Sequence, residues 1–119
     1  MATPAQETQS CSEVTVVGRL GNRVEARTLP SGDEVMVFTV IVDRSAKDQA
    51  RAAGRGATVD SISCQTFRAG IAGRLAALEP GTWVEVEGSL RRRFWRSGGG
   101  LSSAMEVDVV RLERCRVRA

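Results

Sequence analysis

GTWVEVEGSLRRRFW, Gly81 to Trp95, alternates strictly through its first half. Val84, Val86, Gly88 and Leu90 share one parity and Glu85, Glu87, Ser89 and Arg91 the other, which is the period of a β-strand with one buried face. The second half turns basic, with Arg91, Arg92, Arg93 and Arg96 around Phe94 and Trp95. Cations interleaved with flat rings suit a flexible polyanion whose bases can stack, that is, a single-stranded nucleic acid. The same residues also fit a strand whose aromatics cap a core and whose arginines form a solvated face, and the stretch alone does not separate the two.

Working outward, Ala69 to Glu79 is rich in Ala and Leu, with Ile71, Leu75 and Leu78 at helical spacing, and Pro80-Gly81 ends it. On the other side, Arg96-Ser-Gly-Gly-Gly100 is predicted as a hairpin tip and Ala104 to Leu112 as the returning strand. Before the helix, Val59 to Arg68 sorts into a core set, Ile62, Cys64 and Thr66, and an outer set, Ser61, Ser63, Gln65 and Phe67. An aromatic at the end of a polar face has little folding role and can stack on a base; the competing reading packs Phe67 under the segment that follows. Cys64 reads as a small core residue.

Nearer the N-terminus, Val14, Val16, Gly18 and Leu20 mark a first strand that Gly21-Asn22 bends before a polar continuation, Arg23 to Leu29. A glycine bend is what a small closed sheet needs to turn a corner. Pro30 to Asp33 is turn chemistry, and Val35 to Asp43 is the most apolar strand, predicted to be central and buried on both faces. Arg44 to Thr58 loses all alternation and collects Arg44, Lys47, Arg51 and Arg55 among Ala and Gly, a long loop that either wraps a phosphate backbone or is a disordered insertion. Residues Met1 to Ser12 read as a disordered arm and Glu113 to Ala119 as a short basic end. The expected architecture between them, residues 13–112, is all-β: a five-stranded Greek-key barrel with one short helix between strands three and four, the topology of the OB-fold.

Composition sets the outer bounds. A chain of 119 residues supports one domain. The formal charge of +3 favours an anionic partner without requiring one, and 16 of the 17 cations being Arg fits a coding bias as readily as phosphate recognition. Three separated cysteines and no His give no zinc spacing and no disulfide framework, and point to a reducing, cytoplasmic setting. With no His, one Lys and no clustered carboxylates, an enzyme is not expected, nor a metal or other cofactor. No apolar run reaches the length of a membrane span.

Three segments together carry a family resemblance. VTVVGRLG (Val14 to Gly21), FRAGI (Phe67 to Ile71) and PGTWVEVEGSLRRRFW (Pro80 to Trp95) resemble the bacterial single-stranded DNA-binding proteins, over roughly Glu13 to Leu112. The most specific part is the glycine, alternating strand, Glu-Gly-x-Leu, basic residues and tryptophan of Gly81 to Trp95. The resemblance implies an OB-fold that binds single-stranded DNA with little sequence preference during replication, repair or recombination. It places Trp95 and Phe67 as stacking platforms, and leaves Phe94 to the core. Arg91, Arg92, Arg93, Arg96 and Arg68 are then the expected phosphate contacts, with Arg44, Lys47, Arg51 and Arg55 on the loop as weaker candidates. Alternation puts Arg91, Arg93 and Trp95 on one face and Arg92 on the other.

The departures carry information. Ser61 stands where the family usually has a stacking tryptophan, and the aromatic often found around Ser45 to Lys47 is missing. At about 1–3 kcal/mol per stacked base, two absent platforms shift the expected grip from stacking towards charge, with a steeper salt dependence. The ending RCRVRA offers no acidic docking tip, which resembles an accessory paralogue. Family members form homo-oligomers, and a tetramer is favoured here over a dimer. A protein-interaction barrel of a replication-restart complex and an RNA-binding module are the alternative readings.

Overall fold

The computed structural model describes residues 7–47 and 58–116. Among the described residues, these elements follow in chain order: β1 (Val14–Thr28), β2 (Glu34–Asp43), β3 (Val59–Thr66), α1 (Ala69–Ala76), β4 (Trp83–Ser97) and β5 (Gly100–Arg114). They close into a barrel in the order β1-β2-β3-β5-β4. β1 is long enough to serve two neighbours. Its first half pairs with β4, from Val14 opposite Gly88 to Arg19 opposite Trp83, and its second half pairs with β2, from Val24 opposite Phe38 to Thr28 opposite Glu34. The register slips between Leu20 and Val24, at the Gly21-Asn22 bend, so the strand turns the corner without ending. A short parallel contact between β3 and β5, Cys64 opposite Val107, completes the closure. This is the five-stranded OB arrangement expected from the sequence.

The inner parity of each strand builds the core. Val16 and Leu20 of β1, Phe38 and Val40 of β2, Cys64 of β3, Val84 and Val86 of β4, and Val107, Val109 and Leu112 of β5 are buried together. Ile71 and Leu75 of α1 join the same cluster. The helix is one turn shorter than its apolar spacing suggests: it ends at Ala76, and Leu78 reaches the core from beyond it. Thr66, the buried polar residue at the end of β3, donates to the Val109 carbonyl at 2.9 Å and accepts the Arg68 amide at 3.2 Å, which leaves its hydroxyl satisfied where the helix begins.

Two expectations are corrected. β2 is not buried on both faces throughout: opposite the core parity of Phe38 and Val40, Val35 is buried but Val37, Thr39 and Ile41 are half-buried, because the outer face of a barrel strand has no second layer over most of its length. β5 begins at Gly100, four residues before the predicted start, since the tip narrows to Gly98-Gly99 and both flanking segments stay paired.

That early start shapes the molecule. Opposite Gly88 the β4–β5 register shifts, Glu87 facing Arg111 and Gly88 facing Val109, so that Val110 is the extra residue of a bulge. A side chain at Gly88 would bring its Cβ 2.0 Å from the Asp108 carbonyl oxygen, so glycine is what lets the two backbones meet there. Beyond Leu90 the hairpin leaves the barrel: Arg91 to Ser97 pair only with Gly100 to Glu106, and every residue from Arg91 to Gly100 is exposed. At about 3.3 Å per residue the free ribbon is about 20 Å long.

Candidate nucleic-acid interface

A two-stranded ribbon has two faces, and cross-strand partners share one. Arg91, Arg93 and Trp95 lie with Glu106, Ala104 and Ser102 on the face continuous with the outside of the barrel. Here the Arg93 guanidinium carbon sits 4.9 Å from the Trp95 ring centre, its Nε lies 3.5 Å from Glu106, and Arg91 Nε lies 3.9 Å from Asp108. Trp95 is 38% exposed, a ring partly covered and still reachable.

The opposite face carries Arg92, Phe94 and Arg96 with Met105, Ser103 and Leu101. Arg92 donates to the Ser103 hydroxyl at 3.1 Å. Phe94, expected in the core, is 58% exposed. Its parity is that of Val84 and Val86, but past Leu90 no barrel lies beneath that parity, so a residue that would be core inside the barrel is surface on the ribbon. Leu101 and Met105 are exposed on this face for the same reason.

The outer face of β3 presents Ser61, Ser63 and Gln65 opposite Ile41, Thr39 and Val37 of β2. Ser61, at the position of the missing tryptophan, is exposed. Phe67 follows one residue beyond β3, 48% exposed, and lines a hollow with Ala26, Val35, Arg68 and Ala72. Its ring thus borders the start of α1 at Ala72 and stays reachable from solvent. Arg68 precedes the first residue of α1 with its side chain exposed.

Of the cations expected on a loop, Arg44 is held by Asp60, its Nη2 2.9 Å and its Nε 3.2 Å from the same carboxylate oxygen, while its backbone amide donates to the Thr58 carbonyl at 2.9 Å. That pairing ties the end of β2 to the start of β3 and engages the guanidinium with a carboxylate. Lys47 is exposed, and Arg51 and Arg55 lie outside the described residues.

Two basic residues were not anticipated. Arg23 and Arg27 of β1 line a depression with Val37, Thr39, Ser63, Arg93 and Glu106, which joins the β1–β3 surface to the base of the ribbon. Parity could not place them, because the slip between Leu20 and Val24 resets alternation in the middle of β1. Beneath the depression, burial and the nearby Glu106 carboxylate push the Cys64 thiol up to about 12, which makes it inert. Among the described residues no cluster of His, Cys, Asp and Glu could hold a metal ion, and no helix is long and apolar enough to cross a membrane.

Residues 11–115 match the model of the single-strand binding protein family. A single-stranded DNA-binding protein of Thermotoga maritima is 32% identical over 108 residues, spanning 84% of this chain and 72% of the relative. Among solved structures, a Plasmodium falciparum SSB in complex with ssDNA superposes with a TM-score of 0.72 at 18% identity, covering 93% of this chain and all of that one. The mitochondrial single-stranded DNA-binding protein Rim1 of Saccharomyces cerevisiae gives 0.68 at 13% identity, covering 89% and 96%. With the barrel, the bulged glycine and the basic ribbon in place across the matched span, the chain belongs to the single-strand binding protein family.

Proposed function

We propose that this protein binds single-stranded DNA with little sequence preference and protects it during replication, repair or recombination. The observation that carries the reading is the ribbon, where Trp95 and two arginines share one exposed face that runs into the basic depression at Arg23 and Arg27. Trp95 and Phe67 are the stacking platforms. Arg91, Arg92, Arg93, Arg96 and Arg68 supply positive charge along the path, Arg23 and Arg27 join them, and Lys47 flanks it. Sequence is not read, because these groups meet phosphates and base faces rather than base edges.

The protein acts as a binding module, without a catalytic step of its own, in the cytoplasm. It works as a homo-oligomer, a tetramer in the favoured form: Val17 and Val110 are exposed valines on β1 and β5, apolar surface suited to a partner subunit. The organisation is an N-terminal arm, the barrel domain from residue 13 with its last strand running to Arg114, and a short basic end.

The deciding experiment is an equilibrium titration with oligothymidine, the matching oligouridine and a duplex of equal length, with light scattering of free protein and complex. Saturable binding to oligothymidine with the duplex unable to compete is the expected result. Equal binding to duplex overturns the reading, and tighter binding to oligouridine reassigns it to RNA.

A further inference from the structure

Glu106 is out of place on a surface meant for a polyanion. Its side chain is only 9% exposed, and it lines the same depression as Arg23, Arg27, Thr39 and Ser63. A nearly buried carboxylate needs a partner, and its recorded ion pair is with Arg93, Nε to Oε1 at 3.5 Å. The Arg93 guanidinium is in turn the cation over Trp95, at 4.9 Å from the ring centre. The three groups form a chain from the barrel surface outward: a carboxylate, a guanidinium, a ring.

We propose that Glu106 is a positioning residue for base stacking, acting through Arg93, which it holds against Trp95 so that the ring stays fixed with one face covered and the other open. The inference rests on reading Trp95 as a stacking platform. It changes the role of Arg93 from a phosphate contact to the support of the ring. A guanidinium engaged by a carboxylate on one edge and by a π-face on its plane is already committed, whereas Arg96 has no carboxylate across from it on its own face. It also gives the buried acid a purpose that its repulsion of phosphate would otherwise oppose: a free Arg93 would sweep solvent with the many rotamers of an exposed arginine, and Trp95 would lose its backing.

The test uses full-length protein carrying Trp83→Phe, which leaves Trp95 as the sole tryptophan. In this background Glu106→Gln is compared with Glu106→Asp and Arg93→Lys. For Glu106→Gln the ring should become more open to acrylamide quenching in the free protein, and affinity for oligothymidine should fall about two- to fivefold, the range of one exposed cation–π contact. The slope of log affinity against log salt should stay unchanged, since no phosphate contact is lost. Arg93→Lys keeps the charge and should reproduce the same changes, the double variant should be no worse than the weaker single, and Glu106→Asp should retain partial function.

The opposite signs overturn the proposal. If Glu106 merely restrains Arg93 from DNA, Glu106→Gln raises affinity and steepens the slope by about 0.7, one phosphate's worth on a single strand. Unchanged quenching in both Glu106→Gln and Arg93→Lys overturns it as well. Should Glu106→Gln fail to fold, Arg93→Lys carries the same readouts. If Trp95→Ala leaves affinity intact, the stacking role of Trp95 fails, while quenching of the free protein still reports whether Glu106 fixes the ring.

Discussion

Arg44 and Asp60, 16 residues apart in the chain, meet just after β2 and within β3 in a two-nitrogen contact onto one carboxylate oxygen at 2.9 and 3.2 Å. The pair ties the end of β2 to the start of β3 and separates two kinds of arginine in this protein: those spent on the fold and those left for a ligand. Arg19 is of the first kind, 2.8 Å from Asp43, and so is Arg111 between Glu87 and Glu113, whose carboxylates raise its affinity for the proton.

Substituting Arg44 by Ala should therefore cost about 0.2–1 kcal/mol of stability, the range of a solvent-exposed ion pair, and leave the salt slope of oligothymidine binding unchanged. Arg96→Ala should do the reverse, reducing the slope by about 0.7 with no change in the urea midpoint. The pair of titrations across a salt series checks both, and a reduced slope for Arg44→Ala would return that residue to the binding surface.

Truncating the platforms should cost more than removing single charges. Trp95→Ala and Phe67→Ala are each expected to weaken oligothymidine binding by about 1–3 kcal/mol, with Phe67 at the lower end because one side of its ring already faces the hollow at Val35 and Ala72. Phe94 discriminates the two faces of the ribbon. If DNA follows only the Trp95 face, Phe94→Ala leaves affinity unchanged, whereas a loss equal to that of Trp95→Ala would show that DNA engages both faces.

What the chain revealed in advance follows from how far each signal reaches. Alternation is local and identifies strands: β3 and the first half of β4 fall where Ile62, Cys64, Val84 and Val86 place them, and Gly21-Asn22 marks the corner of β1. Alternation cannot say what lies beneath a face. Phe94 has core parity but sits on a stretch that has left the barrel, a fact fixed by the bulge opposite Gly88 and the length of β5. Arg23 and Arg27 were hidden for a related reason, because a register slip within a strand breaks the parity that would assign them. The engagement of Arg44 by Asp60 and of Arg93 by Glu106 depends on contacts across strands, which spacing along the chain does not encode.

The bulge is itself open to test. Gly88→Ala would drive a methyl group to within 2.0 Å of the Asp108 carbonyl oxygen, a backbone atom that cannot rotate away. Overpacking of this kind costs about 1–3 kcal/mol, so the variant should melt below the parent protein. The β4–β5 separation must widen to accept it, which re-aims the ribbon, and oligothymidine affinity should fall together with stability. A Gly88→Ala protein as stable as its parent would mean that the strands separate there without cost.

Cys64 predicts a pH dependence with a definite sign. Its thiol is pushed up to about 12 in the folded protein, first by burial and then by Glu106, from an ordinary value of 9.0. The unfolded chain thus loses this proton near pH 9 while the folded chain keeps it. Below pH 9 both states hold the proton and the site contributes its full stability; from there towards pH 12 the unfolded state is favoured, by up to about 1.4 kcal/mol per pH unit. Urea midpoints measured from pH 8 to 10.5 should fall more steeply for the natural protein than for Cys64→Ala, which starts lower because a buried side chain has been shortened. Thiol labelling of the native protein at pH 8 should modify exposed Cys11 rapidly and leave Cys64 unreacted until urea opens the barrel. Labelling of Cys64 at the rate of Cys11 would mean that the β3–β5 closure opens readily, which its two-residue parallel contact makes the place to look.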